Sequence, residues 1–221
     1  MIHLAKERDK LLENFISISD ELVEWLNENA YEDCFTNNQR FQLAVTCFYV
    51  ALEHHKSIVL LISDFYYTSA FSLARPLVEA YVNGLWIARN ASENDLEYFV
   101  KKGELKPNFG QRVRDIEKNE PQDKGVLSII RNKAWSGMSN YVHSGMTQLS
   151  RHMTVDTIGL NFTDKEIVYL LDFVNGFGLA AGLWMKSMPG STNHIGTFEE
   201  KIMRYNDEAQ SIFDALNSAS S

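Results

Sequence analysis

The sequence predicts an all-α fold: a helical bundle of about six to eight helices, several of them long and antiparallel. Three observations carry this expectation. Apolar residues recur with the three- and four-residue steps of a helix rather than the alternation of a strand. The 221 residues include only 4 Pro and 12 Gly, too few for the closely spaced turns of a sandwich or barrel. Hydrophobic residues make up 45% of the chain, enough for a real core at a length that suits one domain. Residues 1–221 are therefore read as a single all-helical domain.

The elements follow in chain order. Leu11, Phe15, Ile18, Leu22 and Trp25 form an apolar stripe, with Glu13, Glu21, Glu24 and Glu28 off it, which predicts a long amphipathic helix. Between Phe41 and Ile62 apolar residues occupy almost every face, so this helix is expected to be central and surrounded, and the interruption Glu53-His54-His55-Lys56-Ser57 stands out. Residues 63–68 read as a short connection, with Thr68 or Ser69 as N-cap of a helix that runs to about Asn90. Pro76 lies inside that helix, where it removes one backbone hydrogen bond and is expected to kink it. Ser92 and Asp95 have capping spacing for a short helix, and residues 102–108 read as a loop around Gly103 and Pro107. One further helix is expected over residues 124–142, stopping near Gly145, followed by a loop over residues 151–161 with a short extended piece. Thr163 and Glu166 form a capping-box pattern that opens an apolar helix, and Thr197 and Glu200 repeat it before the stripe Phe198, Ile202, Tyr205, Ala209, Ile212 and Leu216.

Residues 167–185 carry one charge, Asp172, and are long enough to span a bilayer. An Asp near the centre costs roughly 2.5 to 3.5 kcal/mol on insertion scales, and Asn175 and the glycines add to that, so the segment is read as a buried central helix. Gly178 and Gly182, one turn apart, permit close approach of a neighbouring helix. Charges break up the first residues where an export signal needs a continuous apolar stretch. Cys34 and Cys47 show no zinc or disulfide spacing and suit a reducing compartment, so a cytoplasmic location without a membrane is expected. The formal net charge of -8 argues against a dedicated DNA-binding module. Nine basic and five acidic residues fall within residues 101–133, giving +4 there and -12 elsewhere. That segment reads either as a solvated helical hairpin or as a face for an anionic partner.

Polar residues in line on helices supply the candidate site. Arg75, Glu79, Asn83 and Trp86 follow helical steps on one face, and Trp135, Ser139 and His143 do so on a later helix, with Tyr141 on another face. Arg75 and Glu79 read as an ordinary intrahelical pair if exposed. Facing the interior they would need further hydrogen bonds, which Glu53, His54, His55 or His143 could provide. A metal site is not expected, because the Glu-x-x-His pair of two-metal bundles is missing and adjacent Glu53 and His54 point about 100 degrees apart. No GxSxG, P-loop, GxGxxG or HExxH pattern is present, so no catalytic role is assigned and no cofactor is implied.

The run EHHKSIVLLISDFYYTSAFSLARPLVEAYVNGLWI, followed by SNYVHSG, resembles bacterial all-helical families of unknown function that are distantly HEPN-like. The resemblance covers roughly residues 40–150. It implies an acidic residue and His on one helix, Glu53 and His54; Arg75, Pro76 and Glu79 on the next; and Ser139, Tyr141 and His143 on a third. Nuclease-type HEPN domains carry an Arg, a polar residue and a His four to six residues after the Arg. Here Arg131-Asn132 opens such a pattern, Ser136 and Gly137 stand where the His belongs, and His143 follows about 18 Å along a continuous helix.

Two readings follow. The first is a binding or interaction protein with a polar pocket around Arg75, Glu79 and His143, taking an unknown small molecule or protein partner. The second is a HEPN-like ribonuclease or toxin of a phage-defence system, with Arg75 on phosphate and His143 as acid or base; RNA is a partner under this reading only. A homodimer is expected, since the two terminal stripes offer more apolar surface than one bundle obviously needs. Arg75, Glu79 and His143 are expected to converge, with Glu53 or His54 as a fourth member.

Overall fold

The computed structural model describes residues 8–30, 38–119, 125–153, 158–188 and 195–218. Ten α-helices occur among them: α1 (Lys10–Asn29), α2 (Gln39–Ser63), α3 (Tyr67–Arg89), α4 (Glu93–Lys102), α5 (Phe109–Asn119), α6 (Val126–Lys133), α7 (Trp135–Val142), α8 (Met146–Leu149), α9 (Asp164–Lys186) and α10 (Ile195–Ser218). The described residues form no strand; an isolated antiparallel bridge, Met153 to Ile158, corresponds to the short extended piece expected there. The all-α class holds, with more helices than the six to eight expected.

Much of the difference arises between Gly125 and Leu149. The single helix expected over residues 124–142 is two helices, because Ala134 leaves the regular conformation at φ -108° and ψ -23°. The break lets the Trp135 ring stack on Phe109 with centroids 3.7 Å apart. Aromatic stacking with a residue 26 positions earlier in the chain is a long-range gain that local propensity does not register. Two cap assignments also change. Tyr66, without a side-chain cap, precedes α3, and Thr68 lies inside that helix with its hydroxyl 2.5 Å from His152 Nε2. Thr197 likewise lies inside α10, which already includes Ile195. Ser92 with Asp95 and Thr163 with Glu166 do form capping boxes, at α4 and α9.

The long helices are α1, α2, α3, α9 and α10. A short turn at residues 64–66 folds α2 and α3 into an antiparallel hairpin, and α3 runs unbroken through Pro76. α9 packs against α1, α2, α3 and α10, which makes it the hub of the bundle. One core cluster takes buried residues from both ends of the chain, including Phe15, Phe48, Leu77, Val174 and Phe198. Phe15 meets Phe213 edge-on, and Trp25 does the same with Phe198, so the two terminal stripes pack on the chain's own bundle. The surface on which a dimer was expected is thus covered within one chain. α2 and α9 are long and apolar enough to cross a membrane, but much of each apolar stretch is buried in the bundle, and a membrane protein is not indicated. Cys34 lies outside the described residues, while Cys47 is half-buried and free.

Two arginines cap the ends of neighbouring helices. Arg8 donates to the carbonyls of Ile62 and Ser63 at the end of α2 and lies 3.7 Å over the Phe65 ring. Arg40 donates to the carbonyls of Ile87 and Ala91 at the end of α3 and to the Glu93 carboxylate at 2.6 Å. The last carbonyls of a helix lack intrahelical donors, so a guanidinium there satisfies groups that burial would otherwise leave unpaired.

Glycines on α9 set how closely its neighbours approach. A Cβ at Gly182 would lie 2.5 Å from the Phe198 ring, and one at Gly178 would lie 3.0 Å from His55 Nδ1. The close approach expected from Gly178 and Gly182 is therefore the geometry observed. Gly176, on the same helix, has open space beyond its Cα. The same substitution should then have opposite effects. Gly176→Ala is expected to stabilise by about 0.5 to 1 kcal/mol through helix propensity, whereas Gly182→Ala should lose about 1 to 2 kcal/mol as overpacking outweighs that gain. Urea denaturation of the two variants checks this; losses or gains of the same sign would contradict the packing described.

Candidate functional site

α3 carries a polar line that α5 and α7 cover. Arg75 is its first member: its Nε donates to Glu79 Oε1 at 3.0 Å and its Nη1 to Ser139 Oγ at 2.8 Å. The guanidinium also lies 4.5 Å from the centroid of Trp135, a cation–π arrangement. Ser139 in turn donates to the Trp135 carbonyl one turn back. The Arg75 and Glu79 side chains are 23% and 36% exposed, so water still screens the pair and its loss costs far less than that of a fully buried pair.

Further along the line, α5 adds the groups that sequence reasoning missed. Trp86 Nε1 donates to Asp115 Oδ2 at 3.0 Å, and Asn90 donates to the Asp115 carbonyl. Gln111 fills the other Asp115 oxygen at 2.6 Å. Arg112 donates to the Pro107 carbonyl; burial lowers its pKa most, and the charges of Glu79 and of a Cys47 thiolate oppose that. Burial also pushes the Cys47 thiol up to about 11, which keeps it protonated and a poor nucleophile. Three buried side-chain atoms find no partner among the described residues: Asn83 Oδ1, Asn90 Oδ1 and Arg112 Nε. All three belong to α3, its C-cap or α5. An unpaired polar atom in such a place costs free energy unless water or a ligand fills it.

The other expected members are distributed as follows. Tyr141 is buried on α7, stacks on Phe71 at 5.2 Å, and its hydroxyl accepts from Arg151 Nε at 3.2 Å. Arg151 continues to the Glu166 carboxylate, tying α7 to the start of α9. His143 is the exposed C-cap of α7, one turn beyond Ser139, and its backbone N–H donates to the Ser139 carbonyl. Glu53 is exposed and His54 half-buried on α2, and neither forms a hydrogen bond or ion pair with the Arg75 group among the described residues. Burial lowers the His54 pKa, with Glu53 pulling the other way.

A second polar cluster lies in the core. His55, not His54, is the buried histidine, with Nε2 2.8 Å from Asn175 Oδ1. The Asn175 amide nitrogen donates to Ser19 Oγ at 2.9 Å and to the Tyr205 hydroxyl at 3.3 Å. With both amide hydrogens directed there, the oxygen must accept, so His55 carries its proton on Nε2. Tyr205 passes its own hydrogen to Asp172 Oδ1 at 2.9 Å. Burial pushes the Asp172 carboxyl up, and the Tyr205 hydrogen bond partly offsets this. The sequence did hold a signal: His55 falls in helical phase with the buried Leu52, Ile58 and Val59, which places it on the inward face.

A family model described as a family of unknown function (DUF6988) matches residues 48–211, about three-quarters of the chain, from mid α2 to mid α10. No curated protein and no solved structure matches.

The core cluster generates a pH dependence. Burial lowers the His55 pKa to about 4, with the Asn175 bond opposing, while the unfolded imidazole titrates near its ordinary value of about 6.5. Between those values the unfolded chain binds the extra proton. This group's contribution is therefore complete above the unfolded value and is lost as pH falls toward the folded one, by roughly 3 kcal/mol in all. His55→Gln retains a donor for Asn175 but does not titrate. Urea melts from pH 7 to pH 4 should show a shallower fall in stability for that variant; equal falls would refute the assignment.

Proposed function

Because the chain belongs to the DUF6988 family, whose function is unknown, we propose its role from its own geometry: it is a binding protein that takes a small anionic ligand in the seam between α3, α5 and α7. One observation carries the reading. Arg75 pairs with Glu79, whose charge also acts on Arg112, and Arg112 Nε is a buried donor with no acceptor among the described residues. A partly desolvated arginine recognises carboxylate or phosphate in a planar, multidentate way. Ser139 and the Trp135 ring hold Arg75 in place beside it. In this reading His143, the exposed C-cap of α7 one turn beyond Ser139, serves as the rim of the site.

The HEPN-like ribonuclease stands as the second reading, and one observation favours it. The basic segment is on the same side as the polar line, since α5 packs directly on α3. Arg131 also lies beside α5, where a Cβ at Gly110 would sit 2.9 Å from its guanidinium and 3.6 Å from that of Arg114. Against it, Arg131 bonds the Asn132 side chain and is separated from His143 by the break at Ala134. A second copy of the chain is the partner this reading retains, now through the exposed Met146, Leu149, Met153, Ile158 and Leu160.

Titration with inorganic phosphate and with adenosine monophosphate, followed by calorimetry, tests the seam. Arg112→Gln and Arg75→Ala should each weaken binding at least tenfold. Arg75→Ala should stay folded with a loss of about 1 kcal/mol, since its pair is screened. Unchanged affinity in both variants would defeat the proposal. Cleavage of an RNA oligonucleotide that disappears in His143→Ala would move the assignment to the ribonuclease. Light scattering should give twice the 25.3 kDa chain mass at micromolar concentration, and a mass of one chain throughout would remove the dimer.

A further inference from the structure

A cavity of about 410 Å³ opens on a different face of α3 from the anion seam, bounded by α3, α5, α6 and α9. Its size is that of a small-molecule pocket, and Tyr81, Leu85, Ile130, Phe173, Phe177 and Trp184 make its wall apolar and largely aromatic. Three charged side chains also reach the wall: Glu117, Arg89 and Asp172.

Their partners separate them. Glu117 is occupied at the start of α6, where it accepts from the Ser128 backbone N–H at 2.8 Å and from the Ser128 hydroxyl. Arg89 lies over the Trp184 indole, its guanidinium carbon 4.0 Å from the ring centroid. Asp172 is half-buried and accepts from the Tyr205 hydroxyl through Oδ1. No cation pairs with Asp172 among the described residues, and burial already holds its carboxyl above the usual carboxylate range. A desolvated carboxylate without a cation is an unfavourable element of a folded wall, and a cationic group supplied from outside would relieve it. The surrounding aromatic faces suit an apolar body and attract positive charge through their quadrupoles.

We propose that this cavity is a second binding site, for a small amphipathic amine whose apolar body fills the aromatic pocket and whose ammonium pairs with Asp172. The site is independent of the anion seam: it shares no residue with it and needs the opposite ligand charge.

Calorimetric titration with a matched series, 4-phenylbutylamine, 4-phenylbutanol and 4-phenylbutyrate, tests it on the full chain. The amine should bind at least tenfold more tightly than the alcohol, and the acid least. Asp172→Asn keeps an oxygen for the Tyr205 hydroxyl and should bring the amine down to the level of the alcohol, leaving the alcohol unchanged. Gly176 lines the same wall with open space beyond it, so Gly176→Leu should weaken all three by filling the cavity. Tighter binding of the acid than of the amine would transfer recognition to Arg89 and overturn the proposal. So would amine affinity unaffected by Asp172→Asn or by Gly176→Leu, or absence of binding by all three probes.

Discussion

Asn175 lies on the most central helix, and its one side-chain amide touches three others: His55 on α2, Ser19 on α1 and Tyr205 on α10. Each of these polar groups is buried, and each would be costly in an apolar core without a partner. The amide offers one acceptor and two donors, and all three directions are used. Position and rotation of four long helices must therefore agree at a single point. Gly178, one turn on along α9, makes room for the imidazole that comes to meet it. A network of this kind adds little net stability over an apolar core, while a helix in the wrong register would leave its members unpaired.

The two polar regions of the molecule differ in a way that bears on function. Around Asn175 donors and acceptors match, and burial holds His55 neutral. In the seam between α3 and α5 they do not match, since Asn83, Asn90 and Arg112 each leave an atom without a partner among the described residues. Matched networks are characteristic of structure, whereas an unmatched one is where water or a ligand completes the count. The exposure of the Arg75 and Glu79 pair fits that distinction.

Local chemistry made much of this legible in the sequence. The stripes of α1 and α10, the capping boxes at Ser92 and Thr163, and the contact between Arg75 and Glu79 are all short-range features that a periodicity of 3.6 residues exposes. Ser139 was placed correctly beside Trp135 by the same period. What escaped depends on distant partners. The break at Ala134 answers to Phe109, and the role of Arg112 answers to where α5 lands on α3. The inward orientation of His55 escaped for a different reason: reading α2 as apolar on all sides discards its phase, which leaves His55 as one of several possible partners of Arg75 beside Glu53 and His54. Asp172 and Asn175 were weighed only as obstacles to membrane insertion, although a polar group that opposes insertion is equally one that needs a partner in a core.

The spacing along the chain of the groups that meet at Asn175 governs events during synthesis. His55 precedes its partner by 120 residues and Ser19 by 156. At roughly 5 to 20 residues per second, α2 waits on the order of 6 to 24 s on the ribosome before α9 is made. Throughout that interval the hairpin of α2 and α3 can close, because its contacts are local, and its end can be capped by Arg8, which has already emerged. The apolar face bearing His55 has no cover until α9 arrives. Completion of the bundle is therefore tied to translation of α9, and until then the nascent chain presents the His55 face of α2 to chaperones.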